Sequence, residues 1–354
     1  MSGCKRLTSP KTSAPIDDLR SLRYMQAWCI LPVMSPTTQL RGYVLVLVAA
    51  CFWATIGLFY RALVDQFQLT RGVIVAYRAG IAALVLLLYL AVFRPRLLIV
   101  HRRDWLYFTS YGCIGVAAFF LSYIQATTSG PLAVAAVLLY TAPIWIMLWS
   151  WLKGEAPSRR KLVALSLAFV GCALVADIFN PANVAVNGPS LLFGLLSGLS
   201  YAAYSVWSAE GTRRGYHVWP VVAYSLGIGA VVLFAAQPLR ESLRPLHLPG
   251  AWPYLLGVAL GPSLLAQTCF TLGLAQVPTA NASIVATIEP VIAALLGWLV
   301  VVPPEPLSGW QLAGGGCVLA AVVVLTRAGV NTPPDARRRR GLYQRPRVAN
   351  SDDV

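Results

Sequence analysis

Charge is the scarcest resource in this chain: Asp, Glu, Lys and Arg make up 12% of 354 residues, about half the share in a soluble domain. Acids are the rarer sign, 13 against 28 Lys and Arg, which leaves a formal charge of +15. Histidine is nearly absent. His101, His217 and His247 lie in connectors without a ligand-spaced neighbour, so neither a metal site nor any cofactor is expected. No CxxC occurs, and of Cys4, Cys29, Cys51, Cys113, Cys172, Cys269 and Cys317 five fall inside apolar runs, as small buried hydrophobes do. No GxxxxGK[ST] is present, which excludes the usual route to direct ATP drive. No connector is long enough for a soluble domain. The clusters that a membrane-embedded enzyme needs, paired acids, His with Asp, or Cys with His, are missing as well.

Apolar residues, 57% of the chain, fill the space that charge leaves. A bilayer core about 30 Å thick requires about 20 apolar residues as helix. Ten segments meet or approach that length: 42–64, 71–93, 105–127, 131–152, 160–177, 188–209, 217–238, 252–275, 279–302 and 308–327. They are apolar around the whole circumference rather than alternating, which excludes a β-barrel. Pro, Gly and charge collect at the joints: FRPR, KGEAPSRR, NPANVAVNG, RPLHLPG and VVPPEP. The fold class expected is all-α, a polytopic membrane protein. The run AWCILPVM (27–34) is too short to span and has no small-residue cleavage site. Met34 opens a plausible shorter chain.

Basic residues orient the spans. With both termini cytoplasmic, the inner connectors carry Arg94, Arg96, Arg102, Arg103, Lys153, Arg159, Arg160, Lys161, Arg213 and Arg214, and the outer ones only Arg61, Arg71, Arg240 and Arg244. The positive charge therefore belongs to connectors and tails, not to a folded nucleic-acid-binding face. The expected location is the inner or plasma membrane. The tail RRRRGLYQRPR (337–347) suits anionic inner-leaflet lipid or a disordered topology anchor.

The chain repeats itself. VAYRAG at 75–80 returns as VAYSLG at 222–227, an offset of 147. The same offset carries Trp105 to Trp252, Tyr107 to Tyr254, Pro131 to Pro278, Pro143 to Pro290 and Trp151 to Trp298. Each copy holds five spans, so the second enters from the opposite face. The halves are expected to be inverted repeats about an axis in the membrane plane, an organisation suited to alternating access. The expected divisions are an N-terminal cytoplasmic extension (1–40), repeats at 41–178 and 188–328, and a basic disordered tail (329–354).

FWA (52–54), AYR (76–78), TAPIWIMLWSWLKGE (141–155), IEPVIAALLGWL (288–299) and the glycine-bearing LAFVGCALV and LAGGGCVLA together resemble the EamA-like proteins of the drug/metabolite transporter superfamily. The resemblance covers about 42–328. It implies a ten-helix transporter of small metabolites, often an exporter, with a central cavity between the halves. The second copy departs from the first at its end: VVPPEP is three residues longer than the KGE pattern, so Glu305 is only a loose counterpart of Glu155.

Two charges lie well inside spans, Arg78 and Glu289. An ionised group there costs about 2.5–3.5 kcal/mol on insertion scales and faces a bundle interior or wet cavity. Their counterparts at the repeat offset are Ser225 and Ala142, so the scaffold repeats while the charges do not. Both are expected to line the cavity, either paired or addressing the two ends of a zwitterion. Glu289 is also the candidate proton carrier. Asn281, Gln267, Gln125, Tyr77, Tyr140, Tyr204 and Trp53 are further cavity candidates. Asn281, Val285 and Glu289 share one face of a continuous helix, as do Tyr111, Ser122 and Gln125. Pro143 and Pro290 are expected to kink their helices and free a carbonyl. GLLSG (194–198), GVALG (257–261) and GGG (314–316) are expected to serve packing within the monomer.

The function expected is secondary transport of a small organic metabolite, an amino acid or related compound, by a monomer or homodimer. A non-transporting membrane scaffold is the alternative that fits the same fold without using Arg78 or Glu289.

Overall fold

The computed structural model describes residues 36–179, 187–301 and 307–330, with side chains from Thr37 to Thr326. Of the two expected tails, residues 1–35 and 331–354 lie outside the described residues, as do Met34 and Glu305; residues 36–40 instead begin the first helix and 329–330 end the last. Among those described, the architecture is helical with no strand. Ten helices follow the chain. In the first repeat α1 is Pro36–Ala54 continued by Ile56–Asp65, α2 is Arg71–Phe93, α3 is Trp105–Ser110 through Phe119–Ser129, α4 is Leu132–Leu139 followed by Ala142–Leu152, and α5 is Arg159–Val175. In the second, α6 is Gly188–Arg213, α7 is Val218–Ala235, α8 is Trp252–Val258 through Ala266–Leu274, α9 is Thr279–Ala286 followed by Glu289–Val300, and α10 is Gly309–Val330.

Nine of these helices are long and apolar enough to cross a membrane. The ten-span count exceeds that by α5, whose 17 helical residues reach about 26 Å at about 1.5 Å each. Side-chain caps fix several starts. Thr70 accepts from the Val73 N–H at 3.4 Å and Asn187 from Ser190 at 2.8 Å, meeting donors that a helix N-terminus leaves unpaired.

The local irregularities also repeat. α3 carries a π-helical stretch at Tyr111–Ala118 and α8 one at Ala259–Leu265. α4 breaks at Tyr140 and Thr141, and α9 breaks at their counterparts 147 residues on, Thr287 and Ile288. Proline does not kink a continuous helix here. Pro143 and Pro290 stand in the first turn of the second half-helix, where a missing N–H costs no bond because that donor has no partner in any helix. Thr141 and Thr287 close each break by bonding their own hydroxyls back to Leu138 O at 2.6 Å and Ile284 O at 2.6 Å.

Packing relates the halves by a two-fold exchange. α2 lies along α7 and α5 along α10; α1 pairs with α8 as α6 pairs with α3. The exchange holds for individual residues. The Cβ position of Gly171 in α5 lies 2.7 Å from Val318 in α10, and 318 is the counterpart of 171. A residue that touches its own counterpart sits beside the relating axis, as in a symmetric dimer interface. With five helices per copy, the halves are inverted. The Gly194 and Gly198 motif packs against Leu138 and Thr141 of α4, and Gly257 and Gly261 pack against Phe59 and Phe52 of α1, all within the chain.

Candidate functional site

The halves enclose a cavity of about 80 Å³. Six helices line it, α1, α2, α3, α6, α7 and α8, joined by α4 at its break and by the second half of α9. The pseudo-axis passes through it: Ala79 and Leu226 both line it, as do Phe120 and Gln267, and each pair is related by the repeat offset.

Arg78 and Glu289 face this space together with Trp53, Tyr140, Tyr204 and Gln267. Arg78 is 5% exposed. Its Nε donates to Ser263 Oγ at 2.9 Å and its guanidinium stands 4.9 Å from the Phe120 ring centre. Such a contact contributes about 2 kcal/mol when desolvated. Glu289 is half-buried at the first position of its half-helix, where the helix dipole favours an anion. Its carboxylate forms no hydrogen bond or ion pair with the described residues. The two charges do not form an ion pair within 4.0 Å, although they lie within electrostatic range. They are thus two separate polar stations on the wall of one cavity.

Aromatic rings form the remaining surface. Trp53 lies 5.0 Å from Phe270, Tyr201 stacks on Tyr204 at 5.7 Å, and Phe119 stacks on Tyr201 at 5.2 Å. Phe119, Phe120, Tyr201 and Ser263 were not among the residues picked from the sequence. Tyr201 could have been, since SYAAYSVW puts it one turn before Tyr204. Ser263, the one hydroxyl of GPSLL, replaces an apolar Val116 in the other repeat, the same asymmetry that singled out Arg78.

Three residues lie elsewhere. Asn281 donates to the Tyr43 hydroxyl at 2.9 Å inside the α1–α9 contact. The break at Thr287 and Ile288 separates it from Glu289, so the two do not share the face of one continuous helix. Tyr77 donates to Ser242 O at 2.7 Å and packs between Phe234 and Trp252. Gln125 lines a different space near the end of α3 and donates to Ser129 at 3.3 Å. The π-helical turns rotate Tyr111 away from Ser122 and Gln125. Its buried hydroxyl faces Ser208, Ser225 and Gln267 without completing a bond.

A second polar cluster closes the end of the bundle that carries the α2–α3 and α6–α7 connectors. Asp104 accepts from Arg214 at 2.7 Å and from Tyr216 at 2.7 Å. Arg214 also donates to Glu210 at 3.2 Å and stands 4.8 Å from the Tyr107 ring centre. Partial burial and the bond to Asp104 hold the Tyr216 phenol above its ordinary pKa range. At the opposite end the counterparts of Asp104, Glu210, Arg214 and Tyr216 are Ala251, Leu63, Phe67 and Leu69. These four pack in one apolar cluster. The two ends are therefore closed by equivalent positions with opposite chemistry.

Among the described residues no three His, Cys, Asp or Glu side chains are grouped to hold a metal.

Comparison with known proteins gives one family. The EamA-like transporter family matches residues 40–176 and again 188–327. The chain is 33% identical to an uncharacterized transporter of Archaeoglobus fulgidus over 218 residues, 60% of this chain and 76% of that one. It is 28% identical to the pseudopaline exporter CntI of Pseudomonas aeruginosa over 60% of this chain and 72% of that one. It is 24% identical to the threonine/homoserine exporter RhtA of Escherichia coli over 70% and 79%. A solved crystal structure superimposes with a TM-score of 0.66 at 17% identity, covering 83% of this chain and 98% of the other. That likeness concerns the fold alone.

Proposed function

The chain belongs to the EamA-like transporter family, and from that premise we propose that it exports a small zwitterionic metabolite, an amino acid or close relative, by alternating access. The observation that carries this reading is the separation of Arg78 from Glu289 on one cavity wall. A guanidinium held by Ser263 and Phe120 suits a carboxylate; a carboxylate with no partner among the described residues suits an ammonium group or a transported proton. The named activity of RhtA, export of threonine and homoserine, supports the substrate class.

The cavity is small. Its volume of about 80 Å³ is below the roughly 300–1,000 Å³ of ordinary ligand pockets. In this reading the cavity widens to admit substrate when the halves rock apart. The end closed by Asp104 and Arg214 is the cytoplasmic one in this reading, because the basic connectors lie there. Both termini are then cytoplasmic, the membrane is the cell membrane, and the working unit is a monomer or homodimer with no enzymatic step.

The test is counterflow in proteoliposomes loaded with unlabelled threonine or homoserine. Labelled amino acid accumulates transiently with the wild-type chain, and the signal falls at least tenfold in Glu289→Gln. If no member of an amino-acid panel gives counterflow, the substrate class is wrong. If Glu289→Gln matches the wild type in rate and pH dependence, Glu289 has no part in the mechanism. A scaffold would give no counterflow with any solute.

A further inference from the structure

A second space in the molecule is larger than the central cavity. A groove of about 740 Å³ opens at the far end of the bundle from the Asp104–Arg214 cluster, where α2 begins and α3 and α7 end. Its polar lining is Arg71, Gln125 and Gln237 with three hydroxyl residues, and its apolar lining includes Leu121, Ile124 and Phe193. No acid is among the lining residues. Gly72 lets the Gln237 amide lie directly on the α2 backbone, since any side chain there would strike it.

Arg71 is the feature that helix stability does not explain. It occupies the first turn of α2, which carries no acid. A cation there opposes the helix dipole by about 0.3–1 kcal/mol. Its guanidinium makes one long bond, to Thr127 O at 3.4 Å, and no ion pair with the described residues. Arg71 lines the groove beside Thr70 and Gly72 at the helix start. Arg71 and Arg78 are seven residues apart, hence on one face of α2, about 10.5 Å from each other along the axis. The groove and the cavity share a wall: Ala118, Leu121 and Ser122 of α3 line the first, and Phe119 and Phe120 line the second.

We propose that this groove is a second binding station on the transport path. It takes a small carboxylate with an apolar body, the carboxylate on Arg71 and the body against Leu121, Ile124 and Phe193. Arg71 and Arg78 then form a two-step ladder for the same anionic group. The step between them rests on the transport reading given above; the groove site itself does not.

Thr128 lies on the exposed rim of the groove, so Thr128→Cys reports on it. The full chain carrying this cysteine is reconstituted in phosphatidylcholine vesicles, with the parent chain as the background for native thiols. Labelling rates with negatively and positively charged methanethiosulfonates are compared. One nearby cation favours the anionic reagent by about fivefold, for roughly 1 kcal/mol of Coulomb energy. Arg71→Gln brings that ratio close to one and Arg71→Lys keeps it. Benzoate slows labelling, benzylamine does not, and Arg71→Gln abolishes the benzoate effect. A ratio unchanged by Arg71→Gln, or equal protection by benzoate and benzylamine, overturns the proposal. So does protection that appears only with phosphatidylglycerol in the vesicles and never with benzoate, which would make the groove a lipid-phosphate site. Benzoate protection in a chain without counterflow would remove the transport reading and leave the groove site standing. Counterflow without benzoate protection would do the reverse.

Discussion

The Arg78 guanidinium stands 4.9 Å from the centre of the Phe120 ring, and 147 residues later, at the two-fold related place, the Gln267 amide donates to Ser225 at 3.5 Å. One contact has been kept in both repeats with its chemistry changed. The first half presents a cation held by an aromatic face, and the second a neutral amide held by a hydroxyl. A cavity on a pseudo-axis would otherwise have matching walls, and a binding site for an asymmetric solute requires that they differ.

Arg78→Lys keeps the charge and loses both the fixed Nε bond to Ser263 and the guanidinium contact with the Phe120 ring. A hydrogen bond to a charged group is worth about 1.5–3 kcal/mol. We expect the KM for counterflow to rise about tenfold or more, with the protein still folded. An unchanged KM would mean that Arg78 acts only as a point charge or does not meet substrate.

Glycine at 198 is a backbone requirement. A Cβ there would lie 2.5 Å from Leu138 O and 2.5 Å from Thr141 Oγ1, where α6 crosses the break in α4. Gly261 has only the Phe52 ring within reach, at 3.5 Å. Gly198→Ala should destabilise by about 1–3 kcal/mol through overpacking, seen as a lower Tm in detergent, while Gly261→Ala should leave Tm nearly unchanged. Equal effects would contradict the helix packing described.

The Asp104–Arg214–Tyr216 cluster should respond to loss of Asp104 and the apolar cluster opposite should not. Its members are partly exposed, 38% for Arg214 and 20% for Asp104, so each pair contributes no more than about 1 kcal/mol. Asp104→Asn is expected to raise amide hydrogen exchange in connectors 94–104 and 213–217 by several-fold at low ionic strength, the factor of about five that 1 kcal/mol gives. Exchange at 66–70 and 244–251 should stay constant. A uniform rise at both ends would show that Asp104 stabilises the fold as a whole.

Pro290→Ala tests the origin of the break in α9. An interior proline costs about 3 kcal/mol or more, so removing one would heal the helix and stabilise it. Pro290 instead stands in the first turn of Glu289–Val300, where alanine is tolerated almost as well. The Tm of Pro290→Ala should therefore shift little and counterflow should persist. A large gain in stability with loss of transport would restore the kink reading.

The placement of residues divides along a physical line. Apolar length, basic connectors and the offset of 147 made the helical class and the duplication legible, because a bilayer constrains every span by length and a gene duplication leaves Trp, Tyr and Pro in register. Charge buried in a span marked Arg78 and Glu289, because an ion in hydrocarbon needs a wet or polar surface. Span periodicity assumed straight, continuous helices. The π-helical turns of α3 and α8 and the break in α9 change which residues share a face, which bears on Gln125, Phe119, Ser263 and Asn281; Tyr77 and Tyr201, on the unbroken α2 and α6, were placed by the face each helix turns to its neighbours. Partner choice was likewise invisible along the chain: Asp104 with Arg214, Arg78 with Ser263, Gly171 with Val318. Sequence alone determined how many helices there are and how often the pattern repeats, since those depend on distances along one strand. Which side chains meet depended on the angle at which one helix face turns toward another, and only the packed bundle fixes that angle.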